Sequence, residues 1–127
     1  MKLRKNTEDY LKVIYILGRS GGEIHGVRIA EVLGVSRPTV SLSLKELEKE
    51  GYLTMDHDRA VHLTARGRAV AMATYERHET LRHLLEEFGV EKEIAAADAC
   101  KMEHSDSPES YAALKGLAAR MRREKGI

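Results

Sequence analysis

The chain has no tryptophan, one phenylalanine, two prolines and one cysteine in 127 residues. A lone thiol, Cys100, excludes an intramolecular disulfide and fits a reducing cytoplasm. Charge of neither sign is in excess: 21 basic and 20 acidic residues leave a net charge of +1, which neither supports nor excludes a nucleic-acid partner. A small nucleic-acid reader needs only a local basic patch. No apolar run approaches the roughly 20 residues of a membrane span. The basic start, Met1 to Lys5, runs into polar Asn6, Thr7, Glu8 and Asp9 with no apolar stretch between, so no signal peptide is expected. These absences predict a soluble, cytoplasmic protein with no membrane partner. The length suits one compact domain or two small ones, and so small a fold gains from dimerisation.

What is present is helix-forming: aromatics are 5% of the chain, and the aliphatic and alanine-rich remainder favours helices. The spacing predicts a first helix capped at Asn6 or Thr7, with Glu8 and Asp9 in its acidic first turn. It carries Tyr10, Leu11, Ile14, Tyr15 and Leu17 and ends at Ser20, Gly21 and Gly22. A second helix runs from about Gly26 to Leu33 and stops at Gly34. A third starts at Ser36 and reaches about Glu50, with Val40, Leu44 and Leu47 inward. Two extended runs, 52–55 and 60–63, flank the turn 56–59 as a hairpin. Thr64 caps a long helix to about Phe88, closed by Gly89, and another covers about Glu91 to His104. Residues 105–108 read as a loop and a fresh N-cap, followed by a last helix from about Pro108 to Arg123. The basic end, Arg120 to Lys125, reads as a solvated tail. The expected fold is mainly α, with a winged helix-turn-helix over 1–66 and a helical part over 67–127.

The segment from Val27 to Ser41 is the most informative. Helix, glycine turn and second helix make the helix-turn-helix arrangement. Ala30 is small where the helices cross, Gly34 takes the left-handed turn, and Ile29, Leu33, Val35, Val40 and Leu44 share a core. Ser36 caps the third helix, and Pro38 sits in its first turn, where a missing N–H costs nothing. Positions at the start of such a helix meet base edges in the major groove of double-stranded DNA. Ser36, Arg37, Pro38, Thr39, Ser41 and Ser43 are therefore candidate DNA contacts, with hydroxyls and an arginine suited to bases and phosphates. Arg28 and Lys45 are candidates for the DNA backbone, and Arg59, at the wing tip, for phosphates or the minor groove. The alternative is a winged helix used for protein contacts.

A second constellation is Cys100, Glu103 and His104. Positions i, i+3 and i+4 share one helix face, which then offers a thiolate or carbonyl, a carboxylate and an imidazole. That mix suits Fe(II), Mn(II), Co(II) or Zn(II). The competing reading is a polar helix end with a buried cysteine. His78, on the preceding helix, and Asp9, at the start of the first, are ordinary when taken alone.

Taken together, these residues resemble the iron- and manganese-dependent repressors related to the diphtheria toxin repressor and the manganese transport regulator. The resemblance runs over nearly the whole chain. It is carried by Thr7 to Leu11, Ser36 to Ser41, Leu63 to Gly67, Arg77 with His78, and Cys100 to His104. It implies a winged helix-turn-helix followed by a helical dimerisation and metal-binding domain over 67–127. It also implies a homodimer that binds operator DNA when metal is loaded and represses metal-uptake genes, with no small organic substrate. The chain stops without the SH3-like domain of longer members and so looks like the short form.

The implied metal ligands are Asp9, His78, Cys100, Glu103 and His104. Asp9 matches the manganese-type members and Cys100 the iron-type, while His78, Glu103 and His104 match both. Lys12 stands where manganese-type members carry a bridging glutamate. Arg82 and Ala96 stand where iron-type members place a glutamate and a histidine of their second site. An ammonium one turn after Asp9 would take the place of a second cation, so one metal per protomer is expected. A lysine pointing to solvent would carry no such meaning. Thiolate ligation favours Fe(II), whereas ligation through the Cys100 carbonyl leaves Mn(II) open, with Co(II) or Zn(II) binding possible in vitro. Metal acts in this reading by population shift, favouring the DNA-competent arrangement. Dimer contacts are expected from the apolar stripes at 70–88 and 94–102. A metal-independent winged-helix regulator is the alternative. A metalloenzyme or thiol enzyme using Cys100 and His104 lacks an oxyanion turn and a third orienting group, so the chain is not expected to be an enzyme.

Overall fold

The computed structural model describes residues 5–104 and 107–124. Six helices and a two-stranded sheet follow in the order α1 (Lys5–Arg19), α2 (Gly26–Leu33), α3 (Arg37–Lys49), β1 (Leu53–Met55), β2 (Val61–Leu63), α4 (Ala65–Glu87), α5 (Lys92–Met102) and α6 (Pro108–Glu124). The chain forms two compact units that divide inside α4, between Thr74 and Tyr75. The opening turns of α4 belong to the first unit because Ala71, fully buried, is part of its core.

The first unit is a winged helix-turn-helix. Tyr10, Leu11 and Ile14 of α1, Ile29 of α2, Val40, Leu44 and Leu47 of α3, and Leu53 and Val61 of the sheet make one buried cluster. Gly34 ends α2 in the left-handed region, at φ 70°, and its N–H bonds back to the Ala30 carbonyl. Ser36 caps α3 by accepting the Thr39 N–H at 3.3 Å, with Pro38 in the first turn. The strands pair antiparallel, Leu53 with Leu63 and Met55 with Val61.

Thr64 fastens the base of the wing to α4. Its hydroxyl donates to the Gly51 carbonyl at 2.7 Å and accepts the Gly67 N–H at 3.1 Å, while its own N–H donates to the Tyr52 carbonyl. Gly67 is needed here for a steric reason: a Cβ at that position would lie 1.9 Å from the Tyr52 carbonyl oxygen. Beside it, the Arg66 guanidinium stacks on the Tyr52 ring, 4.3 Å from its centroid.

Three sequence expectations are corrected. Helix α1 already includes Lys5, so Asn6 and Thr7 are not its cap; Thr7 lies inside the helix and is buried. Asparagine and threonine cost only tenths of a kcal/mol in a helix interior, so a cap-type residue does not by itself mark a start. Helix α5 ends at Met102, with Glu103 as its C-cap and His104 in the turn beyond. Val35, expected in the shared core, is 40% exposed, whereas α6 reaches past the expected end near Arg123 with Arg120, Arg122 and Arg123 exposed. Lys125 lies outside the described residues, as do Ser105 and Asp106 of the expected loop.

In the second unit, α6 is tied to α4 through polar contacts. The Tyr111 hydroxyl meets Thr80 at 3.3 Å and Glu76 at 3.4 Å, and Lys115 pairs with Glu76. Arg77 lies over the Tyr111 ring, 5.8 Å from its centroid.

Candidate functional site

Burial orients the recognition helix. Val40, Leu44 and Leu47 face the core, so the opposite face of α3 carries Pro38, Leu42, Lys45 and Lys49. Arg37, Pro38, Thr39 and Lys45 are exposed, and Ser41 is half-buried. Arg37 and Ser41 line a groove of about 380 Å³ together with Asp58 and Arg59 of the wing and His25, the N-cap of α2. Ser36 is exposed, but its hydroxyl is shared with the Thr39 N–H and the Thr39 hydroxyl, the latter at 2.7 Å. Ser43 turns the other way, into a cleft lined by Asn6, Thr7 and Tyr10 of α1. Arg28 is exposed and pairs with Glu31 at 3.3 Å.

Sequence reasoning passed over Leu42. It is 69% exposed in the middle of the outward face of α3. The signal was available: Leu42 falls outside the buried register of Val40, Leu44 and Leu47. An apolar side chain held out among polar ones suits the C5-methyl of thymine in the major groove.

The second unit brings His78, Cys100, Glu103 and His104 together. His78 projects from α4, and the other three lie at the end of α5 and just past it. The Glu103 side chain is fully buried, and one of its oxygens lies 3.0 Å from Nδ1 of His78. The other lies 3.2 Å from Nε2 of His104, itself 7% exposed. Cys100 is exposed, with Sγ 3.6 Å from the same His78 nitrogen. Cys100 is therefore not the buried cysteine of the competing reading. Arg77, not anticipated as part of the site, donates to the backbone carbonyl of Glu103 at 3.1 Å. Its sequence cue was its pairing with His78 among the residues that carry the resemblance.

Nδ1 of His78 and Nε2 of His104 thus both face the Glu103 carboxyl group. These atoms make a carboxylate and bis-imidazole donor set, with a thiol alongside. The residues present therefore fit a divalent transition metal. Asp9 lies in α1 of the first unit and is half-buried, while Lys12 on the same helix is 7% exposed and does not point to solvent. Arg82 pairs with Glu79 at 2.7 Å and with Glu86 on its own helix. These contacts, Glu79 foremost, raise its pKa above the usual arginine value.

Known proteins resemble both the N-terminal and the C-terminal part of the chain. The family described as iron dependent repressor, N-terminal DNA binding domain, matches residues 2–61. Its companion, iron dependent repressor, metal binding and dimerisation domain, matches residues 64–124. The transcriptional regulator MntR of Escherichia coli O157:H7 is 41% identical over 112 residues, covering 88% of this chain and 72% of that protein. The iron-dependent repressor IdeR of Mycobacterium tuberculosis (strain ATCC 25618 / H37Rv) is 39% identical over 104 residues, covering 81% of this chain and 45% of its own. Among solved structures, a manganese-dependent transcriptional repressor in complex with manganese superposes with a TM-score of 0.79 at 31% identity, over 88% of this chain and 52% of that one. No helix among the described residues is long and apolar enough to cross a membrane. A winged helix-turn-helix in one unit and a buried carboxylate between two imidazoles in the other thus coincide with the two matched domains, and the chain belongs to the iron dependent repressor family.

Proposed function

We propose that the chain is a cytoplasmic, metal-activated repressor of metal-ion homeostasis that binds operator DNA as a homodimer, and that it is not an enzyme. The observation that carries the metal half of this reading is the buried carboxylate of Glu103 meeting both His78 and His104. Taking a carboxylate out of water costs several kcal/mol unless it is well compensated, and a cation at that point compensates it directly.

The proposed ligands are Asp9, His78, Cys100, Glu103 and His104. Asp9 enters from the resemblance to manganese-type members, and the other four from their proximity as well. The metal, when bound, supplies a fixed positive charge that draws its ligands together. The chain's own residues do the rest: Arg77 holds the backbone of Glu103, and α3 and the wing present Arg37, Ser41, Leu42 and Arg59 to DNA. Fe(II) and Mn(II) are the proposed physiological metals, with an exposed Cys100 thiol favouring Fe(II). The burial of Lys12, at 7% exposure, supports one metal per protomer.

The test is a mobility shift on DNA from upstream of the chain's own coding sequence and of nearby metal-transporter genes. It is run with chelator, Mn(II), anaerobic Fe(II), Co(II) and Zn(II), for the wild type and Glu103→Ala. Metal-dependent shifts that vanish in the variant are expected. Equal shifts with chelator and metal, unaffected by the substitution, would replace this reading with a metal-independent regulator. Saturation at two metal equivalents per chain would refute the single-site stoichiometry.

A further inference from the structure

Asp56 follows β1 and opens the wing turn. Its N–H donates to the Ala60 carbonyl at 3.1 Å, and its carbonyl accepts the Arg59 N–H at 2.9 Å. The side chain binds the turn a second time. Oδ1 accepts the N–H groups of Asp58, at 2.9 Å, and of Ala60, at 3.0 Å. Oδ2 lies 2.9 Å from Nε2 of His62 on β2, which must carry the proton between them. With three donors, His62 foremost, the carboxyl is held below the usual aspartate range. Nearby charges are tied to other atoms of the wing: His57 pairs with Asp58 at 3.4 Å, and Glu48 of α3 accepts the Met55 N–H at 3.1 Å.

The segment so bracketed contains Arg59, at φ 63° the one non-glycine residue in the left-handed region among those described. Turns of this length place glycine or asparagine there, because a Cβ is crowded in that conformation. The Asp56 carboxylate holds the N–H groups of the residues on either side of Arg59, and the Asp56 main-chain carbonyl holds the N–H of Arg59 itself. The arginine kept in this way lines the same groove as Arg37 and Ser41 of the recognition helix.

The geometry points to Asp56 as a positioning residue: its carboxylate, oriented by His62, holds Arg59 in the left-handed conformation that presents the guanidinium to a DNA phosphate beside α3. This rests on the DNA-binding reading above. Without Asp56, Arg59 relaxes toward ordinary backbone conformations, and the phosphate contact is lost.

The test uses the full chain loaded with Mn(II) and duplexes that the wild type selects from a randomised pool. The variants are Asp56→Ala, Asp56→Asn, Arg59→Ala and the Asp56→Ala/Arg59→Ala double. Asparagine keeps the oxygen that accepts the two amides. Asp56→Ala and Arg59→Ala should each weaken binding about tenfold and flatten the dependence of log K on log salt by about one unit. The double variant should be no worse than Arg59→Ala, and Asp56→Asn should stay within about threefold of wild type. In the free chains, amide hydrogen exchange at Asp58 and Ala60 should speed up in Asp56→Ala and not in Asp56→Asn. An Asp56→Ala chain with full affinity, an unchanged salt slope, additive losses in the double variant, or unchanged exchange would each overturn the assignment. A wild-type chain that selects no duplex refutes the DNA-binding reading and this role with it. A wild-type chain that binds, with Arg59→Ala indistinguishable from it, refutes this role alone.

Discussion

Nδ1 of His78 lies 3.0 Å from the carboxylate of Glu103, a residue 25 positions further along the chain. One side chain is 14% exposed and the other fully buried. The contact joins the middle of α4 to the end of α5, so any ion held there acts on both helices. A ligand that binds only the folded chain stabilises it by mass action, by about 2.7 kcal/mol at a hundredfold excess over Kd. For a chain of this length that raises Tm by about 10 °C. Glu103→Gln, nearly isosteric, should cut the Mn(II)-induced rise to under about 2 °C in differential scanning calorimetry. A full rise in the variant would remove Glu103 from the ligand set.

Leu42 should matter to DNA and not to folding. At 69% exposure it has little core contact to lose, and surface substitutions change stability by about 0.5 kcal/mol or less. Leu42→Ala should leave the urea midpoint in place and weaken operator binding about tenfold, or 1.4 kcal/mol. Unchanged affinity in a fluorescence-anisotropy titration would mean that this face of α3 does not reach the bases.

Gly67→Ala should be costly out of proportion to one methyl group. The added Cβ would stand 1.9 Å from the Tyr52 carbonyl oxygen, which is backbone and cannot swing aside. Overpacking of this kind costs about 1–3 kcal/mol, with backbone clashes at the upper end. Urea denaturation of the full chain measures it, and a loss below about 0.5 kcal/mol would show that α4 shifts freely against the wing.

The Glu76–Lys115 pair sets a pH window. Lys115, with Tyr111, holds the Glu76 carboxyl below the usual glutamate range, and Glu76 raises the Lys115 ammonium above the usual lysine range. The glutamate's contribution is complete above the ordinary carboxylate range and is lost as pH falls through its lowered folded value. The lysine's is complete below the ordinary ammonium range and is lost as pH rises through its raised one. Lys115→Met should therefore differ from wild type by a constant amount near neutrality, and the difference should vanish at both extremes. Stability curves from urea titrations across pH provide the check. A difference that survived intact at about pH 2, where carboxylates are protonated, would assign the effect to packing instead.

The winged unit was legible because its signals are local. Gly34 marks a left-handed turn, Ser36 a cap, and the spacing of Val40, Leu44 and Leu47 a buried stripe, each readable within a few residues. The end of α5 was misjudged by two residues because Glu103 keeps helical angles as the C-cap, and nothing in its chemistry announces the last turn. Thr7 misled for the opposite reason: a residue with capping chemistry was used inside a helix. The meeting of His78 with Glu103 and the bond from Arg77 to the Glu103 carbonyl span different helices, so spacing alone could not reveal them. Asp56 was read only as turn composition, although its partner His62 lies six residues away, because the pairing depends on strand register and on a turn that places an arginine at positive φ.

The bonds that Thr64 makes to Gly51 and Tyr52 give the wing a closed neck. A loop of about a dozen residues costs little entropy to close. Mechanically, the tip is the far end of a short, tethered lever. A chain cut after Arg59 would keep both halves in register through the strand ladder and the neck, so such a nick would cost the tip its order while the particle stays whole.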